Sequence, residues 1–323
     1  MATTVFGDKF GDLSGKVKAG DQDLTSDDVI ALIYGDAVGS FLDKVHGGND
    51  TLSRTGALGS SLFGDAGGDF RDKSVGGDDS LSATSRGNSL YGDAGGTLFD
   101  RSRGGDDILN GGGRDSIIYG DADSMIGHSR GGNDVLGSDA GVVSRLVGDA
   151  KTMSDDSRGG NDTLESAQSA VVNTLYGDAE TMSGRARGGD DILVASNTGA
   201  FSVLLFGDAA SAADSVRCGN DRLVSGAGSD RMWGDAESMA AGVVTGRDTF
   251  VFAPDNGADT INDFEHGKDR IDLTAFASNG VNRLSDLDIT SDAAGSTIEF
   301  GEVNGQIDVI GIAGFSEADF LFA

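Results

Sequence analysis

The chain has 323 residues, of which 53 are glycine and one is proline, with a formal net charge of −29 and a pI near 4.1. An overall charge of that sign excludes nucleic acid and anionic membrane surfaces as natural partners. Glycine at this frequency without a Gly-X-Y period excludes collagen. The single cysteine, Cys218, rules out an intrachain disulfide, and no apolar run is long enough to insert into a membrane.

The first residues, Met1 to Asp8, lack a basic start and an apolar core, so no cleaved N-terminal leader is expected. From Gly7 onward the dipeptide Gly-Asp returns at Gly35, Gly64, Gly92, Gly120, Gly148, Gly177, Gly207 and Gly234, about 28 residues apart. A period of this length is the mark of one unit stacked many times, a solenoid. A second marker, Gly-Gly-Asn/Asp-Asp-x-Leu/Ile, follows each Gly-Asp after about a dozen residues, as in Gly47–Leu52, Gly104–Leu109 and Gly188–Leu193. The next Gly-Asp is preceded by two apolar residues, such as Leu62-Phe63 or Leu90-Tyr91. Each unit thus holds two short strands with inward aliphatics, which fits an all-β parallel solenoid with about 4.8 Å per turn. The ragged first unit, 1–34, reads as an N-terminal cap, residues 35–246 as the stacked roll and 247–323 as a C-terminal β-rich cap.

Two columns of acid run through the repeat. One belongs to Gly-Asp-Ala: Asp36, Asp65, Asp93, Asp121, Asp149, Asp178, Asp208 and Asp235. The other belongs to Gly-Gly-x-Asp: Asp50, Asp79, Asp107, Asp134, Asp162, Asp191, Asp221 and Asp248. A single aspartate at a turn is ordinary capping chemistry. Two stacked columns need counter-ions, and carboxylates with glycine carbonyls suit calcium, whereas zinc would need histidine or cysteine. His46, His128 and His266 are scattered. The Gly-Gly-x-Asp column is the firmer ligand set, since the Gly-Asp-Ala aspartates could serve only as caps. At the opposite corner the corresponding residues are mostly neutral, for example Ser60, Asn88, Ser116 and Asn173, with Asp230 as the exception and a candidate ligand, and Asp115 one residue out of step.

Residues 219–232 match two successive nonapeptides of the form Gly-Gly-x-Gly-x-Asp-x-Φ-x, and 104–120 come close. On these motifs the chain resembles the RTX, or hemolysin-type calcium-binding repeat, family, over nearly its whole length. The resemblance implies a right-handed parallel β-roll that binds several Ca2+ ions and folds outside the bacterial cell. The segments 247–252, 257–264 and 267–273 look like the closing part of such rolls, and the end, Glu317 to Ala323, resembles an uncleaved signal read by type I secretion machinery. The implied role is structural or adhesive at the cell surface or matrix. No zincin motif, nucleophile elbow or Cys-His pairing is present, so an enzyme is not expected. The alternative is a calcium-dependent protein that binds or modifies polysaccharide, lyase- or epimerase-like.

The period departs from the eighteen residues of two nonapeptides by about ten, inserted after each Gly-Asp-Ala at one corner. We expect Gly-Asp-Ala-x-x-Met to form a helical turn capped by its aspartate, one loop per turn. Phe41, Phe70, Leu98, Met125, Met153, Met182, Ala212 and Met239 recur there in register and should form a satellite core under the loops. A second register holds Arg103, Arg130, Arg158, Arg187 and Arg217. These five are expected to interleave with the aspartate columns or to pair with Asp100, Asp155 and Asp156; the alternative is a ladder for an anionic glycan.

Overall fold

A computed structural model describes residues 3–138, 143–168, 172–197, 201–301 and 303–323. The chain coils into a parallel β-solenoid of about nine turns. Each repeat contributes its rungs to parallel sheets that run the length of the stack. The first face is a 13-stranded sheet made by the residues that lead into Gly-Asp-Ala, such as Ser61–Phe63, Ser89–Tyr91 and Ser116–Tyr119. The third face is an 11-stranded sheet of the residues that follow Gly-Gly-x-Asp, such as Thr51–Arg54, Ser80–Ala83 and Ile108–Gly111.

Between them lies a second face that sequence reasoning did not foresee. The expected helical turns are strands instead: Ala94–Leu98, Ala122–Met125, Ala150–Met153, Ala179–Met182, Ala209–Ala212 and Ala236–Met239 form a six-stranded parallel sheet. Isolated bridges Phe41↔Phe70 and Phe70↔Leu98 carry the same face into the earlier turns. The reason for the misreading is physical. Within these strands the inward residues stand three apart, as Ala122 and Met125 do, which imitates one turn of helix. The pairing skips one residue after the alanine (Ala122↔Ala150, then Ser124↔Thr152), so the strand is kinked and two inward side chains sit three residues apart instead of two. The inserted residues are therefore a wall of the roll and not loops on its edge.

Two apolar cores result. Leu52, Leu81 and Leu109 from the third face meet Leu62, Leu90 and Ile118 from the first. The second face packs its alanines on Phe41, Phe70, Leu98, Met125, Met153 and Met182, all buried, which is the satellite core expected of that register. Met239, at the last turn, is 39% exposed. Outside the first core, the aromatic residues before Gly-Asp-Ala stack rung on rung, with ring centroids 4.9 Å apart for Tyr34 and Phe63 and 5.2 Å for Phe63 and Tyr91. Beyond the last repeat, Asp288–Ser291, Gly295–Phe300 and Val303–Ile310 add an antiparallel meander to the first face. Phe320–Leu321 supplies the final rung of the third face against Arg270–Asp272.

Candidate metal centre

The glycines of the two markers let neighbouring rungs approach through their backbones, and the aspartates that follow them turn inward. All sixteen aspartates of the two columns are at most 2% exposed. The Gly-Gly-x-Asp column is wired rung to rung. Asp50 N–H donates to Asp79 Oδ1 at 2.6 Å, Asp107 N–H to Asp134 Oδ1 at 2.7 Å, and Asp221 N–H to Asp248 Oδ1 at 2.8 Å. The Gly-Asp-Ala column is wired within its own turn. Gly48 N–H donates to Asp36 at 2.9 Å, Gly132 N–H to Asp121 at 3.0 Å, and Gly189 N–H to Asp178 at 2.7 Å. None of these aspartates caps a helix.

Each carboxylate but that of Asp235, at the end of its column, thereby keeps one oxygen unused. That oxygen, in both columns, is buried with no hydrogen-bond partner: Oδ2 of Asp79, Asp107, Asp134, Asp162, Asp191 and Asp221 on one side, and Oδ2 of Asp93, Asp121, Asp149, Asp178 and Asp208 on the other. A buried polar atom left unpaired costs stability, and a carboxylate oxygen costs most. Oxygens of Asp36, Asp50 and Asp65 lie within 4.8 Å of one another, so the two columns meet between successive turns. The surrounding glycines complete the cradle. A Cβ at Gly120 would overlap both the Gly148 carbonyl oxygen and Asp134 Oδ2, and one at Gly131 would overlap Asp149. Only glycine leaves room there for carboxylate and carbonyl oxygens to converge.

Burial and mutual repulsion raise the pKa of every carboxyl in the two columns. Burial is the largest cause throughout, and for Asp50, pushed to about 8, the neighbouring Asp36 adds to it. Asp36 rises to about 6 and Asp248 to about 10. Fully buried members such as Asp134, beside Asp107 and Asp149, are raised well above the carboxylate range. Such a set is uncomfortable as bare anions and needs either protons or a cation. The donor set, carboxylate oxygen with nearby carbonyl oxygen, fits a hard divalent ion such as calcium.

The ends and exceptions of the ladder are informative. In the first turn Gln22 takes the place of the second-column aspartate, and its amide donates to Asp8 at 3.1 Å. At the far end Asp263 and Asp269, which sequence reasoning did not single out, continue the columns. Asp248 N–H donates to Asp269 at 3.0 Å and Gly234 N–H to Asp263 at 2.7 Å, but the second oxygens of both also accept backbone N–H groups. Asp263 stands 28 residues after Asp235 but lacks the preceding glycine, and Asp269 stands only 21 after Asp248, so neither reads as a copy of its marker. Cys218 replaces the first glycine of its pair and comes within 4.8 Å of Asp208 and Asp235 oxygens. Asp230 is buried at the opposite corner, where Val203 N–H, Asn197 Nδ2 and Gly226 N–H occupy both of its oxygens. Asp115 is exposed. At that same corner Arg54 is fully buried, donating to the carbonyls of Asp28, Val29 and Gly56 and to Ser85 Oγ. The five register arginines do not interleave with the aspartates. They are exposed, and among the described residues none has a carboxylate within 4.0 Å; Asp156 pairs with Arg185 instead, at 2.6 Å.

Against this geometry, the Peptidase M10 serralysin C-terminal family matches residues 45–322, most of the chain. The chain belongs to that family. The serralysin C-terminal domain is an RTX-like β-roll repeat, the calcium-binding kind, and is not the catalytic part of serralysin. Its matched span begins in the second turn and takes in every rung of the two columns from Gly47 onward as well as the C-terminal meander. No match is found among curated protein sequences. No helix among the described residues is long and apolar enough to cross a membrane.

Proposed function

We propose that the chain is a secreted calcium-binding repeat protein whose roll folds when Ca2+ neutralises the two aspartate columns, with a structural or adhesive role at the bacterial surface or matrix. The observation that carries this reading is the row of buried, partnerless carboxylate oxygens repeated in turn after turn. Asp50, Asp79, Asp107, Asp134, Asp162, Asp191, Asp221 and Asp248 would hold the ions together with Asp36, Asp65, Asp93, Asp121, Asp149, Asp178 and Asp208, whose free oxygens face the same gaps, and with Asp235 at the end of the column. Asp230 has no free oxygen and is left out of the ligand set.

The mechanism follows from linkage. Buried like charges oppose folding, a narrow core offsets little of that, and a cation bound only in the folded state adds its binding energy to stability. Extracellular calcium modules have dissociation constants of about 0.1–1 mM. A chain of this kind stays open in a calcium-poor cytosol and closes after export. Its last strand, Phe320–Leu321, is part of the folded third face, so the C-terminal segment is accessible to a secretion apparatus only before closure. A non-enzymatic role is in keeping with the family match, which is to the repeat domain of serralysin and not to its catalytic part.

Circular dichroism and calorimetry on a calcium titration test this reading. The chelated chain is expected to lack strand signal at neutral pH and to gain it cooperatively with calcium. Asp134→Ala is expected to bind fewer ions and to raise the calcium midpoint about tenfold, a loss of about 1.4 kcal/mol. A chain equally folded in chelator would overturn the proposal.

A further inference from the structure

The corner between the second and third faces carries a concentration of positive charge that the calcium ladder does not use. From the second turn through Val216 one residue of this corner is buried, as Val45, Ser74, Ser102, Ser129 and Ser157 are, and the residues on either side of it face outward; in the first turn Val17 holds that place and is exposed. The position before it holds Lys16, Lys44, Lys73, Arg101, His128 and Arg185, all exposed, with half-buried Asp156 between the last two and Ser215 after them. The position after it holds Lys18, Arg103, Arg130, Arg158, Arg187 and Arg217, all exposed. Nearly half of the chain's 24 lysines and arginines therefore stand on one edge of a protein with net charge −29. Parallel bridges fix the second column in register, Arg103↔Arg130↔Arg158↔Arg187↔Arg217, one cation per rung of about 4.8 Å.

The edge is concave. A groove of about 780 Å3 runs past Lys16, Lys44, Lys73 and Arg101 to His128, and a second of about 210 Å3 continues from His128 past Arg130 and Arg158 to Arg187. Asp43, Asp72 and Asp100 line the first groove beside its lysines. In the second the one lining acid, Asp156, is already held by Arg185, so its other arginines are free for a ligand. Unpaired like charges held a rung apart repel one another, and an anion with matching spacing relieves that repulsion.

We infer that this edge is a binding rail for a linear polysaccharide carrying one carboxylate per sugar. A polymer with one anion per repeat matches a column with one cation per rung, and the guanidinium fork matches a carboxylate in geometry. Successive weak contacts along one chain add through effective concentration. Nucleic acid fits worse. Duplex DNA carries a charge every ~1.7 Å, denser than the rail, and would meet the acidic remainder of the protein. Single strands need aromatic platforms, and neither column contains one.

The test uses the full chain in calcium, with strand content checked by circular dichroism before each binding run, so that failure of calcium-coupled folding and failure of the rail are read separately. The probe is size-fractionated polymannuronate of about ten sugars, with dextran and oligo-dT as comparisons, followed by calorimetry at two salt concentrations. The triple variant Arg130→Gln, Arg158→Gln, Arg187→Gln is compared with Arg86→Gln, Arg114→Gln, Arg247→Gln, which removes equal charge from exposed positions elsewhere. Polymannuronate is expected to bind, more weakly in higher salt and for shorter oligomers, and the rail triple to weaken it about tenfold while the control triple leaves it within about twofold. No binding, equal loss in both triples, or equal binding of dextran or oligo-dT overturns the inference.

Discussion

At the scale of single residues, the roll carries an internal cation of its own, Arg54, apart from the ion proposed for its aspartates. Its guanidinium sits at the corner that lacks paired carboxylates, clamped by the carbonyls of Asp28, Val29 and Gly56 and by Ser85. Carbonyl oxygens crowding a buried positive charge are what a metal site offers, supplied here without a metal. Arg54→Met would keep much of the volume but leave these buried acceptors without a donor, and is expected to cost about 3 kcal/mol. Thermal unfolding in saturating calcium measures this, and a change below about 0.5 kcal/mol would show that the clamp contributes little. Nothing in the sequence announced Arg54, because its partners are three backbone carbonyls and the Ser85 hydroxyl, most of them brought to it from neighbouring turns. The aspartates were legible for the opposite reason: their chemistry lies in the side chain and their register in the spacing. What the spacing left open, whether the Gly-Asp-Ala column caps loops or faces the interior, depended on the path of the intervening residues.

At the scale of elements, that path is the main correction. The apolar register Phe41, Phe70, Leu98, Met125, Met153, Met182 was legible as a buried stripe, but its secondary structure was not, since a kinked strand and a helical turn both bring residues three apart to one side. Stacking decides between them. A lone helical turn satisfies few of its own backbone groups, whereas a strand in a parallel sheet pairs with the rungs above and below. The second face therefore bears load in the middle of the stack and little at its end. Met153→Ala, at a position 1% exposed with rungs on both sides, is expected to lose about 2–5 kcal/mol. Met239→Ala, 39% exposed on the last strand of that sheet, is expected to stay within about 0.5 kcal/mol. Urea unfolding in calcium compares the two, and equal losses would mean that the second face is not a packed wall.

At the scale of the whole molecule, the buried acid sets an unusual dependence on pH. A carboxyl whose folded pKa lies above its ordinary 3.8 takes up a proton on folding, as Asp50 does with a folded value of about 8 and Asp248 with one of about 10. The stability of the metal-free roll is then greatest below the unfolded value and is lost as pH rises through the folded ones. Acidifying the metal-free protein from pH 8 to pH 5 is expected to restore strand signal and with it a melting transition. In saturating calcium the sign reverses, because protons compete with the ion for the same oxygens. Melting curves across this range with and without calcium check both signs, and a metal-free chain that gains no strand signal on acidification would contradict the burial of bare carboxyls. The repeat period announced the solenoid and the one-sided acid, while the number of walls and the charged edge emerged only once the turns were stacked.

The side-chain bonds along the Gly-Gly-x-Asp column all point the same way. The backbone N–H of Gln22 is held by the Asp50 carboxylate, that of Asp50 by Asp79, and so on to Asp248, held by Asp269. Every rung's carboxylate bond is thus made to a residue further along the chain, and the last of these, Asp269, leads into the strand Arg270–Asp272 that pairs with Thr249–Val251 and Phe320–Leu321. The column has a grain. The backbone bonds of the same rungs run the other way, as Ser80 N–H does to the Asp50 carbonyl, so only the carboxylate bonds have this direction. Loss of one carboxylate therefore strips the side-chain bond from the rung before it and leaves that of the rung after it in place.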